Sequence, residues 1–198
     1  MNELKTNVFH VGKGVDISCY HLCLCDVLVN GVSILSDPNI EATINVNLLG
    51  LINRTVISSP YMDKTQHARR GLVSNIDSVV GLEPCASLVI CSSSKFGVID
   101  FTRSTGVPYV AITAICPDIT LITLMPMVLE LPDCDTCAYL KPLIDDFFKG
   151  DIQSASKCGD HLVEIIEMSQ NGAHWINDQS KLRLVEPKVF WELSGFII

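Results

Sequence analysis

Between Val15 and Leu49 apolar and polar positions alternate. Val15, Ile17, Cys19, His21, Cys23, Cys25, Val27 and Val29 share one face if this run is a single strand, because successive strand side chains point to opposite sides. Asn30-Gly31, set between Val29 and Val32, carries the signal of a two-residue hairpin turn, both positions tolerating positive φ. Ser36-Asp37-Pro38-Asn39 reads as the next turn. Ile40, Ala42, Ile44, Val46 and Leu48 then alternate with Glu41, Thr43, Asn45 and Asn47, predicting a half-buried strand. The N-terminal part therefore reads as an antiparallel, β-rich meander.

Further along, residues 54–75 are polar and loop-like, and Val79–Cys91 returns to apolar character. Pro108, Pro117 and Pro126 each precede an apolar, β-branched run; proline is tolerated at the start of a strand, where its missing N–H costs little. Helical spacing comes only in the last third. Tyr139, Leu140, Leu143, Ile144, Phe147 and Phe148 recur three and four apart, with Gly150 as a stop. A second helix is predicted over Ile152–Ser169, ended by Asn171-Gly172. Lys181–Ile198 alternates again around Pro187 and predicts a final strand pair. The order implies an α+β or mixed α/β fold with a mixed central sheet, in a single domain spanning residues 1–198.

Composition sharpens this picture. Apolar residues make up 48% and charged residues 18% of the chain, with mean hydropathy +0.35. So much apolar surface must be buried inside the fold or against a partner, and a homo-oligomer is expected. The apolar tail Phe190–Ile198 is a candidate part of that interface. A net charge of −8 argues against nucleic-acid binding, which needs a basic face to displace counterions. Val107–Leu131 is broken by three prolines and carries Asp118 and Glu130, so no membrane span is expected. Met1–Lys5 does not begin a secretory signal, and nine cysteines without one point to free thiols in a reducing cytoplasm.

Cys19, His21, Cys23 and Cys25 would lie too far apart on a strand to share one metal ion, the ends of the run being roughly 20 Å apart. Cys134-x-x-Cys137 has knuckle-like spacing, but Asp133 and Asp135 flank it and would raise a thiol pKa. No metal and no cofactor is expected. No Gly-x-Gly-x-x-Gly loop, Gly-x-Ser-x-Gly elbow or His-Glu-x-x-His pair occurs. Gly12-Lys13-Gly14 lacks the Walker spacing and reads as a turn.

The sharpest candidate site is Ser92-Ser93-Ser94-Lys95, read as a polar loop after a buried strand over Leu88–Cys91. Its hydroxyls, backbone N–H groups and cation would suit phosphate or carboxylate. Arg69 and Arg70 would supply a second clamp. Ser93-Ser94-Lys95-Phe96-Gly97 resembles a segment in the sugar-phosphate sensor domain of DeoR-type bacterial repressors. That resemblance implies a fold shared with sugar-phosphate isomerases, with Lys95 facing the phosphate. It covers five residues, has Ser92 where the family carries aspartate, and lacks the family's upstream Gly-Thr-Thr loop.

Two functions follow from the sequence. One is a binding or enzymatic protein acting on a small anionic metabolite through Ser92–Lys95. The other is a non-catalytic oligomeric assembly or regulatory protein. Whether the chain is an enzyme stays open at this point.

Overall fold

A computed structural model describes residues 8–11, 26–35, 39–63, 71–86, 88–105, 110–121, 152–178 and 181–186. A six-stranded sheet is built from β1 (Val8–Val11), β2 (Val27–Asn30), β3 (Leu72–Ile76), β4 (Ala111–Pro117), β7 (His174–Asp178) and β8 (Lys181–Leu184), in that spatial order. Neighbours from β1 to β7 are parallel, and β8 returns antiparallel to β7. A two-stranded parallel pair, β5 (Thr120–Leu121) and β6 (Gln153–Ser154), stands apart. The mixed α/β expectation holds, with the sheet far more parallel than the alternation implied.

The expected hairpin at Asn30-Gly31 does not form. β2 pairs in parallel on both sides, and Gly172 is the one glycine with positive φ among the described residues. Parallel strands need a crossover between them, and the presumed strand over residues 40–48 is part of one. It begins α1 (Ile40–Ile44), which runs through a π turn (Asn45–Leu49) into α2 (Gly50–Met62). The Asn39 side chain caps the start by accepting the Ala42 N–H. Likewise, Leu88–Cys91 is no strand: it opens α3 (Val89–Ser104). The polar stretch expected as a loop over residues 54–75 instead holds most of α2 and nearly all of β3.

Other expectations fare better. The helix foreseen over Ile152–Ser169 is α4 (Ala155–Met168), capped by Ser154 and closed by Ser169 in the left-handed region. The strand after Pro108 is β4, and β8 begins the Lys181–Ile198 segment expected to hold the final strands, but its partner β7 lies before that segment. The helix expected over residues 139–150, the Cys19–Cys25 run, Cys134, Cys137, Arg69, Arg70 and the Phe190–Ile198 tail lie outside the described residues.

Register fixes which face each helix covers. Asn30 aligns with Asn75 and Asn75 with Ala114, which aligns with His174, so these residues share a face. α2 and α3 cover it, since Asn30 donates to Thr55 of α2 and Asn75 donates to Thr102 of α3. Asn177 projects from the opposite face and meets His161 of α4. His161 is thus buried. Helices on both faces bury the sheet's apolar centre, where Leu28, Met62, Val73, Val110 and Ile112 form one cluster.

Candidate active site at the carboxyl edge of the sheet

The carboxyl ends of parallel strands in a sheet covered on both faces are where such folds place ligands. Here that edge is formed by the segment after β2, by Asp77 and Ser78 after β3, and by the first turns of α3. A buried amide relay underlies it. Asn30 Nδ2 donates to Thr55 Oγ1 (3.1 Å) and to Asn75 Oδ1 (2.9 Å), and Asn75 Nδ2 donates to Thr102 Oγ1 (2.9 Å). Each bond is shielded from water and leaves few polar atoms unpaired, so the relay holds β2 and β3 to both helices.

Above it, Asn47 sits in the π turn between α1 and α2, a kind of helical irregularity that recurs at functional sites. Its Oδ1 accepts the Ile34 N–H (2.8 Å), while its Nδ2 donates to the Ile34 carbonyl (2.9 Å) and to Ser94 Oγ (3.3 Å). One amide thus pairs with the chain after β2 as a neighbouring strand would, and ties it to α3.

The four residues expected as an anion loop lie instead on the first turns of α3, and their hydroxyls are occupied. Ser92 Oγ donates to the Val80 carbonyl (2.7 Å), Ser93 Oγ to Val89 (2.8 Å) and Ser94 Oγ to Cys91 (2.6 Å). Their role is to seat the helix. Lys95 differs: its side chain is buried at 4% exposure, and its Nζ donates to the Ile76 carbonyl (3.1 Å) at the end of β3. Gly81 makes this approach possible. A Cβ there would come within 2.9 Å of the Lys95 carbonyl carbon and oxygen, so any larger residue must displace the helix backbone.

Asp77 and Ser78 complete the edge, and neither stood out in the sequence. Ser78 is half-buried, and its Oγ accepts the Val80 N–H at 3.4 Å, capping a short 3-10 turn (Val79–Gly81). Asp77 is 4% exposed, and neither carboxyl oxygen meets a hydrogen-bond partner. Burial pushes its pKa up to about 7; the Lys95 charge and the Ser78 N–H pull the other way without completing a bond to it. Cys116 on β4 is raised well above the ordinary thiol range, by burial first and by the Asp77 charge second. The thiols of Cys85, Cys91, Cys116 and Cys158 form no disulfides. Among the described residues no group of three or more His, Cys, Asp or Glu side chains could hold a metal ion, and no helix is long and apolar enough to cross a membrane.

The fold is a mostly parallel α/β sheet covered by helices on both faces, with Asn47, Ser78 and Lys95 on the segments that border its carboxyl edge. Residues 20–131 match the family model of the short chain dehydrogenases, and the chain belongs to that family. It is 42% identical over 173 residues to alcohol dehydrogenase 1 of Ceratitis capitata, a match covering 84% of this chain and 66% of that protein. Against the alcohol dehydrogenase-related 31 kDa protein of Drosophila immigrans it is 36% identical over 179 residues, covering 87% and 64%. The chain thus spans about two thirds of the length of these relatives. A solved 4-hydroxyisoleucine dehydrogenase complexed with NADH shares the fold, with TM-score 0.61, 17% identity, and coverage of 78% of this chain and 67% of that one. The DeoR-type resemblance at Ser93–Gly97 is therefore superseded: the segment is a helix of a short chain dehydrogenase.

A dinucleotide needs a glycine-rich turn and a helix N-terminus for its pyrophosphate, at a point where the strand order reverses. No Gly-x-Gly-x-x-Gly occurs in this chain, and the described sheet runs in chain order from β1 to β8 without such a reversal. These residues do not fit a whole dinucleotide. What they do offer at one edge is a buried ammonium and a half-buried hydroxyl.

Proposed function

We propose that this chain forms the substrate-side part of a small-molecule oxidoreductase site for an alcohol or carbonyl compound. The observation carrying this is the cluster at the carboxyl edge, Asn47, Ser78 and Lys95, in a chain 42% identical to an alcohol dehydrogenase. Ser78 offers a hydroxyl to orient a ligand oxygen. Lys95 offers a cation whose one protein bond runs to a carbonyl, leaving donor capacity for that oxygen. Asn47 holds the chain after β2 in place and keeps it off the site. The serine hydroxyls of α3 being occupied, any preference for an anionic ligand rests on Lys95. Self-association and a cytoplasmic setting with reduced thiols belong to the same proposal.

Calorimetric titration of the purified chain tests it, with small secondary alcohols, the matching ketones, and phosphorylated or carboxylated metabolites as separate arms. Nicotinamide dinucleotide is added to each, and its reduction followed by absorbance. Binding of alcohols or ketones that is lost in Lys95→Met and Ser78→Ala supports the assignment. Tighter binding of the anionic arm would replace it with an anion-binding protein, and no binding in any arm would replace it with a non-catalytic assembly protein.

A further inference from the structure

Asp77 is the one carboxyl group among the described residues that is buried with both oxygens unpartnered. A buried acid normally has its lone pairs satisfied, because an unpaired one costs the full desolvation of the group. The amide relay beneath does not use it: it runs Thr55, Asn30, Asn75, Thr102 and leaves Asn30 Oδ1 without a partner. The charged and titratable groups that act on it come from two elements. Lys95 faces it from α3, and Cys116, whose thiol is affected by both Asp77 and Lys95, lies on β4; Arg103 of α3 acts on Cys116 from further along the helix.

Lys95 is the natural complement. It too is buried, and its Nζ donates to the Ile76 carbonyl, one residue before Asp77, rather than to the carboxyl itself. The arrangement therefore matches a neutral Asp77, which leaves the ammonium free to take a carbonyl. An ionised Asp77 would compete for it with a full opposite charge, a Coulombic attraction that the carbonyl dipole lacks. Gly81 packs against the Lys95 backbone, so only the side chain is left to swing.

We infer that Asp77 is a positioning residue for Lys95: its ionisation draws the Lys95 ammonium from the Ile76 carbonyl toward the carboxylate, which sets how that ammonium meets a ligand at the edge. Asp77 acts through Lys95 and touches no ligand, since its oxygens are out of reach of solvent. The proton it gives up leaves to solvent, and no bond other than hydrogen bonds is made or broken. The inference rests on the proposed function only in naming Lys95 as the ligand-facing group.

Nuclear magnetic resonance of the full chain tests it, following the Asp77 carboxyl carbon and the Lys95 side-chain ammonium from pH 5 to pH 9. The expected result is one shared midpoint near neutrality for both signals, and loss of the Lys95 transition in Asp77→Asn. An Asp77 midpoint in the ordinary carboxylate range, or a Lys95 signal that does not follow it, would overturn the inference. Asp77→Asn removes a buried acid without changing shape and is expected to fold; Asp77→Glu, which keeps the titrating group, should retain a Lys95 transition. Because these signals are read without any ligand, failure of the oxidoreductase assignment leaves them intact. Where a ligand binds, its affinity should change several-fold between pH 5 and pH 9 in the native chain and stay flat in Asp77→Asn.

Discussion

Asp77 and His174 leave opposite marks on stability. Folding raises the Asp77 pKa from 3.8 to about 7, so the folded chain binds more protons than the unfolded one in that interval, and stability falls as pH rises through it. His174 goes the other way. Burial first, and the Arg103 charge second, lower its pKa from 6.5 to about 4, so the folded ring stays neutral and stability rises with pH over that window. The two slopes nearly cancel between about pH 4 and 6.5. Asp77→Asn should remove one of them. Its stability relative to the native chain, measured by urea unfolding, should be near parity at pH 4 and greater by about 4 kcal/mol at pH 8. A difference independent of pH would show that Asp77 is not protonated in the folded chain.

At the scale of elements, Asn47 is the most exposed to test. Its amide makes three bonds that join the π turn, the segment after β2 and α3. Asn47→Ala leaves the Ile34 N–H and C=O without these partners. A loss of about 1–3 kcal/mol is expected, with faster hydrogen exchange at Ile34 than at Val29 inside β2. Equal acceleration at both would mean global destabilisation, not release of a clamp.

The same elements show what could be read in advance. β4, whose buried positions are mainly apolar, and α4, whose apolar residues recur at helical spacing around buried Ile165, were legible from periodicity. α1 through α2 was not, for a physical reason. Its buried positions are Thr43, Asn47, Leu51, Thr55, Ser58 and Met62, at helical spacing but mostly polar. In α3 they include Ser92, Ser94, Lys95 and Thr102. A stripe of buried hydroxyls and amides gives no apolar period, so the weaker alternation at Ile40–Leu48 prevailed. Lys95 stands out in the sequence as a cation beside three serines, in what reads as a loop, but the structure has it on α3. Asp77 and Ser78 passed unnoticed because β3 itself, Leu-Val-Ser-Asn-Ile, carries buried Ser74 and Asn75 and does not look like a strand.

For the whole molecule, apolar side chains stand out on the outer faces of α2 and α3. Val56 and Ile57 are more than half exposed, as is Val89, and Tyr61 and Phe96 are not far behind. Apolar surface of this kind is normally covered in a symmetric assembly. Light scattering at micromolar concentration should give a mass that is a multiple of 21.7 kDa. Replacing Val56 and Phe96 together by Lys should return it to the monomer. A native chain that scatters as a monomer would remove self-association from the proposed function.

The sheet's spatial order repeats its chain order from β1 to β8, and this carries over to the ribosome. Each strand can dock on its predecessor as soon as it emerges, so the sheet grows in one direction. The growing rim halts at β4, whose Ile112, Ala114, Ile115 and Cys116 are all fully buried in the finished fold. Its next partner, β7, begins only at His174. At roughly 5–20 residues per second, β4 shows an open apolar rim to the cell for several seconds. An unpaired strand of that kind is a template for pairing with other chains. This nascent interval, rather than the finished molecule, is where chaperones would be needed most.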